Sequence, residues 1–162
     1  MVGFFYDGIY GQRNFTSITS VYISLSFLPF TMNNVVVSDC CNGLILCWCL
    51  GAVGYRYVVC NLATQELKVL SPRIHSVGEA RLGFDPTASS HFHVIEFMEE
   101  NAECLGVEIY SSKTTECIYK EFEWGQDIGD VIRSRSASMF LNDCLHIMGY
   151  SLILAVDMEG KT

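Results

Sequence analysis

A chain of 162 residues is long enough for one domain with a sizeable core. Half of it is hydrophobic and 17% is charged, which excludes a disordered chain and suits a strand-rich, buried one. The net charge of −8 is clustered: between Glu96 and Asp130 ten carboxylates face only Lys113 and Lys120, so nucleic acid is not an expected partner.

The stretch from Met1 to Asp7 has neither a basic n-region nor an apolar h-region, so secretion is not expected, and the cytoplasm or nucleus is the expected location. In a reducing compartment the eight cysteines behave as small buried hydrophobes. Asn14-Phe15-Thr16 matches a glycosylation sequon that such a location leaves unused. Residues 1–34 contain apolar segments with irregular turn signals, Val21 to Phe27 being the best strand candidate. They are read as an N-terminal segment separate from a repeating region, 35–162.

From Val35 onward strands come quickly. They are predicted near Leu44–Cys49, Tyr55–Cys60, Leu67–Leu70, His91–Met98, Cys104–Tyr110, Glu116–Phe122, Cys144–Met148 and Leu152–Val156. The separators are turn chemistry: Asn42-Gly43 before one strand, Asp85-Pro86 after another segment, Asn142-Asp143 before a third. Leu44 to Cys60 is the most apolar stretch. It is broken by Gly51, Gly54 and Arg56 and falls short of a bilayer span, so it reads as two buried strands, with no membrane partner. No segment carries a 3.6-residue apolar stripe of helical length, and short strands at close spacing predict an all-β fold.

The strands repeat. Val58-Val59-Cys60-Asn61-Leu62-Ala63-Thr64 is answered by Glu108-Ile109-Tyr110-Ser111-Ser112-Lys113-Thr114, 50 residues on. A third copy is Ala155-Val156-Asp157-Met158-Glu159-Gly160-Lys161-Thr162. Asn42 and Asn142, two such periods apart, each lead into a strand. In the middle copy the corresponding polar turn, Ser89-Ser90, is offset by a few residues. A repeat of roughly 40 to 50 residues carrying several short strands is the signature of propeller blades. The expected fold is therefore a partial β-propeller of about two to three antiparallel blades, with the third copy stopping at its turn. Blades stack through apolar faces. If an open face measures ~400 Å², leaving it wet forgoes on the order of 10 kcal/mol at ~25 cal/mol per Å².

Chemistry-bearing residues are few. Cys40-Cys41, Cys47-x-Cys49 and Cys60 match no zinc-finger or ribbon spacing, and core thiols explain them better than a metal. His91-x-His93 is predicted on one face of a strand with Ile95 and Phe97, as packing or a hydrogen-bonded pair rather than a metal or general-base site. Asp85 and Asp157 belong to turns, where a side-chain oxygen can bond the backbone. Trp48, Trp124 and the many Tyr and Phe residues supply core anchors, or recognition anchors where they line a propeller mouth. There is no phosphate loop, no Gly-x-Ser-x-Gly elbow and no His-Glu-x-x-His. No catalytic, cofactor-binding or metal-binding residue is expected, no cofactor either, and the chain is not expected to be an enzyme.

Several segments together resemble the F-box-associated domain of plant F-box proteins. They are Ser38-Asp39-Cys40-Cys41-Asn42-Gly43-Leu44-Ile45-Leu46-Cys47, Tyr57 to Thr64, Leu82-Gly83-Phe84-Asp85-Pro86 with Ser90 to Val94, Val107 to Thr114, Phe140-Leu141-Asn142 with Leu145-His146, and Ala155 to Thr162. The resemblance implies a kelch-like propeller that serves as the substrate receptor of an SCF-type ubiquitin ligase. In that family an F-box docks the ligase linker subunit and the associated domain holds the target. Leu62 stands where the family often has Pro, and Leu67 and Cys117 where Trp is frequent. No F-box helices stand near Met1, so linker-subunit docking is not expected of this chain, and the target protein is not identified. The alternative expectation is a truncated fragment with no partner of its own.

Overall fold

The computed structural model describes residues 3–7, 13–17, 35–51, 54–70, 79–99, 104–123, 137–149 and 152–159. The strand expected at Val21 to Phe27 and the anchor Trp124 lie outside them. Contacts divide the chain into two compact units, Met1–His75 and Ser76–Thr162.

The first unit opens with an antiparallel pair, β1 (Gly3–Asp7) and β2 (Arg13–Ser17). A four-stranded meander follows: β3 (Val35–Cys41), β4 (Leu44–Gly51), β5 (Gly54–Asn61) and β6 (Leu67–Val69), hydrogen-bonded in that order. Between β3 and β4 the two-residue turn Asn42-Gly43 has φ of 45° and 89°. Both values lie in the left-handed region that a hairpin of this length needs, because its twist then matches that of the strands. Register slips between Val37 and Asp39, a bulge that leaves Asp39 buried with its Oδ1 accepting from Cys40 N at 2.8 Å. Alternation then sorts the side chains. Ile45, Cys47 and Cys49 of β4 join Val58 and Cys60 of β5 on one face, edged by Val35, Val37, Leu62 and Val69. Leu46, Tyr57 and Val59 occupy the other face and are buried too.

The second unit holds a meander of β7 (Glu79–Gly83), β8 (His93–Glu99), β9 (Cys104–Ser111) and β10 (Cys117–Glu123). It also holds a three-stranded one of β11 (Ser138–Leu141), β12 (Cys144–Met148) and β13 (Ile153–Asp157). Burial falls across the larger sheet, from β7, buried from Ala80 to Gly83, to β10, exposed from Cys117 to Glu121. Within this unit the two sheets meet at Gly83. A Cβ built there would lie 2.6 Å from Cδ2 and Cε2 of Phe140, so the aromatic ring sits where any larger residue would have a side chain. Register places Phe140, Leu145 and Val156 in one row and Ile147 and Leu154 in the next, all buried on the face toward β7 and β8.

The repeat holds at the level of single hydrogen bonds. Asn61 N donates to Glu66 O and Gln65 N to Asn61 O; one period later Ser111 N donates to Glu116 O and Thr115 N to Ser111 O. Gln65 and Thr115 share a left-handed backbone, at φ of 59° and 61°. Asn42-Gly43 and Asn142-Asp143 are likewise matching left-handed turns. At the third copy the turn begins the same way, Asp157 Oδ1 accepting from Glu159 N at 3.0 Å, while Thr162 lies outside the described residues. The middle copy departs because β7 and β8 are joined by the longer loop 84–92 rather than a two-residue turn.

All eight strands expected after Val35 are present within a few residues of their predicted bounds. Five were not foreseen: β1, β2 and the first strand of each meander, β3, β7 and β11. Among the described residues there is no helix. Two four-stranded meanders and one three-stranded one match the two to three antiparallel blades expected.

Candidate functional site

Strand connectivity gathers several polar residues at one end of the second unit. The connections β7–β8 and β9–β10 leave from the same end of their antiparallel sheet, and the β11–β12 turn lies near it, with Phe140 against Gly83 and Asp143 acting on His93.

Loop 84–92 is held by its own side chains. Asp85 Oδ1 accepts from Thr87 N at 2.9 Å and from Thr87 Oγ1 at 2.7 Å, while Ala88 N and Ser89 N donate to Asp85 O. The Thr87 hydroxyl and backbone N–H hold the Asp85 carboxyl below its ordinary range, ahead of a small opposing effect of desolvation. This is the turn role expected of Asp85. Further along, Ser89 Oγ accepts from His91 N at 3.0 Å. Two reciprocal bonds then tie the loop to the neighbouring turn: Phe92 N donates to Ser112 Oγ at 2.8 Å, and Ser112 N donates to Phe92 O at 2.9 Å. The Phe92 ring lies 6.3 Å from that of Tyr110. The loop is a ridge braced by its own side chains and by Ser112 of the neighbouring turn.

His93 begins β8 beside this ridge, its ring 6.2 Å from Phe140. Burial pushes its pKa below the usual imidazole value, and the Asp143 carboxylate partly opposes this. His91 belongs to the loop, not the strand, so the two histidines do not share a strand face as the i, i+2 spacing predicted. Asp143, which no sequence spacing connects to His93, reaches it through the packing of Phe140 against Gly83.

Cys47, Cys49 and Cys60 are free and buried on one face of the first unit. A hydrogen bond to Cys60, then burial, pushes the Cys47 thiol far above its ordinary value, and burial raises Cys49 to about 11. The same hydrogen bond lowers Cys60, while Cys47 and Cys49, kept protonated in a hydrocarbon core, are poor metal ligands. Cys40 is exposed. Among the described residues no group of three or more His, Cys, Asp or Glu is placed to hold a metal ion.

Two features were invisible in the sequence. Arg81 is buried in β7, its Nη1 donating to Glu79 Oε2 at 3.0 Å and to Ala80 O at 3.3 Å. The three-stranded sheet leaves Met139, Leu141, Met148 and Ile153 exposed on the face away from Phe140. Charged residues in short strands read as loop, and alternation alone cannot say which face is covered.

Comparison with known proteins adds one match. The family model of the F-box associated beta propeller domain aligns with residues 12–152, well over half of the chain. No curated protein matches. The all-β architecture of antiparallel blades is that of the family's propeller fold. No helix among the described residues is long and apolar enough to cross a membrane.

Proposed function

This chain belongs to the F-box associated β-propeller family, and from that premise we propose that it is a non-enzymatic protein-recognition module of the kind that holds the target of an SCF-type ubiquitin ligase. The family match is the observation that carries the reading. Its support in the molecule is a scaffold of short, hydrogen-bonded meanders presenting a braced ridge at residues 84–92, beside Ser112, His93 and Asp143. Recognition favours such a surface, because side chains on a stiff ridge lose little conformational freedom when a partner docks. The target contacts are assigned to that ridge. The chain works in the cytoplasm or nucleus and relies on an F-box, in its own polypeptide or a partner's, for contact with the linker subunit.

The test is a fusion. With an F-box joined to its N-terminus the chain should co-purify with the linker subunit and direct ubiquitin transfer to a bound protein. His91→Ala with Thr87→Ala should weaken transfer while linker binding persists. Linker binding by the unfused chain, or transfer indifferent to the ridge variants, would contradict the assignment.

A further inference from the structure

The three most exposed large apolar side chains among the described residues are Ile153 at 64% and Met139 and Met148 at 58% each. They share one face of the β11–β13 sheet with Leu141. Met139 pairs with His146, Leu141 with Cys144 and Met148 with Ile153, so register alone puts them together. The repeat shows what this face is made for. Asn42 and Asn142 are equivalent turn residues, which makes Leu46 the counterpart of His146. Leu46 and its neighbours Tyr57 and Val59 are buried. The other sheet contact of the second unit shows what kind of cover fits. There the aliphatic face formed by Ile95, Val107 and Ile109 belongs to one sheet, and Phe140, Leu145 and Val156 to another.

The geometry points to a second copy of this chain as the occupant, the two β11–β13 faces packing against each other about a two-fold axis. Four side chains at these exposures amount to roughly 400 Å², the size at which an apolar patch on a soluble protein marks a contact site. Two copies bury about twice that. The half-buried Cys144, His146 and Ala155 on the same face raise the total to about 1,000 Å², the floor for a specific interface. That predicts a weak dimer with a dissociation constant on the order of 10 µM. Charge permits it. One charged residue shares the face, Asp157 at its edge in the row of Leu141 and Cys144, and it lies with Asp143 and Glu159 at one end of the sheet. An axis in the contact plane and across the strands sets that end against the Met148–Ile153 end of the other copy, so carboxylates do not meet. Self-contact of like faces closes on itself, which limits the assembly to two.

This inference is independent of what the ridge at 84–92 binds. Sedimentation equilibrium of the 162-residue chain, from about 1 to about 200 µM, brackets that constant. A reversible monomer–dimer equilibrium is expected. Ile153→Lys should weaken it at least tenfold, as should Met139→Lys on a different strand, while Ile118→Lys on β10 leaves it unchanged. All three positions are exposed, so the far-UV circular dichroism of the variants should match the parent; a variant that loses it is replaced by Met148→Lys. A chain monomeric throughout, a dimer indifferent to the lysines on this face, equal loss from Ile118→Lys, or assemblies larger than two would each overturn the proposal.

Discussion

Two glycines in the second unit separate a rigid close approach from a yielding one. A Cβ at Gly83 would stand 2.6 Å from two ring atoms of Phe140 and 3.2 Å from a third. Phe140 is only 8% exposed and is held between sheets in the row of Leu145 and Val156, so its ring has nowhere to go. Overpacking a fixed core contact costs about 1–3 kcal/mol, and with two contacts this short Gly83→Ala should fall near 2–3 kcal/mol. At Gly106 a Cβ would stand 2.7 Å from Cε2 and Oη of Tyr119, a similar overlap. Tyr119, however, is 46% exposed on the outer strand β10 and can swing into solvent. Gly106→Ala should therefore cost under about 1 kcal/mol, because the lost ring contact is offset by the reduced entropy of the unfolded chain. Urea unfolding followed by far-UV circular dichroism reads both. A double-mutant cycle adds the cause: in a Phe140→Leu background Gly83→Ala should cost at least about 1 kcal/mol less than in the parent. Equal costs for the two alanines, or additivity of Gly83→Ala with Phe140→Leu, would show that the ring is not what excludes a side chain.

Thr115 is a β-branched residue held at φ 61°, so Thr115→Asn should raise stability by about 0.5–1 kcal/mol in the same assay, whereas no gain would mean the turn is not strained. Pulse alkylation with iodoacetamide near neutral pH should label exposed Cys40 and Cys117 quickly and spare Cys47 and Cys49 until the chain unfolds; mass spectrometry finding Cys47 labelled as fast as Cys117 would refute the buried-thiol face. Burial depresses the His93 pKa in the folded state, so between its folded and unfolded values the unfolded chain binds more protons. Stability should therefore decline as pH falls from about 6.5 toward the folded value. Replacing His93 by Asn should flatten that slope, and an unchanged slope would remove His93 as its source.

The strands after Val35 were legible because neighbours in sequence encode them. Leu44-Ile45-Leu46-Cys47 and its relatives are apolar runs opened by Asn-Gly or Asn-Asp, and a left-handed turn is a property of two residues. The unforeseen first strands have no such signature. β7 reads Glu-Ala-Arg-Leu-Gly, whose arginine is buried and pairs with Glu79 two residues back, and whose glycine admits a ring from β11; that burial and that ring depend on packing elsewhere in the unit. β11 is four residues long and gains its strand character only by pairing with β12.

The candidate site divides in the same way. Asp85 in its turn and Ser111 in its repeat position could be read from composition, because an oxygen two residues from a backbone N–H bonds it wherever the turn occurs. The pairing of Phe92 with Ser112 could not, nor could the approach of Asp143 to His93. Residue order alone determined that this polypeptide alternates strands with tight turns at a period near 50, since strand and turn preferences act over two to seven residues. Which face of each sheet is covered, which histidine faces a carboxylate and where methionines stay wet were decided by sheets packing on sheets. Such packing joins residues some 50 positions apart, and no local preference specifies it.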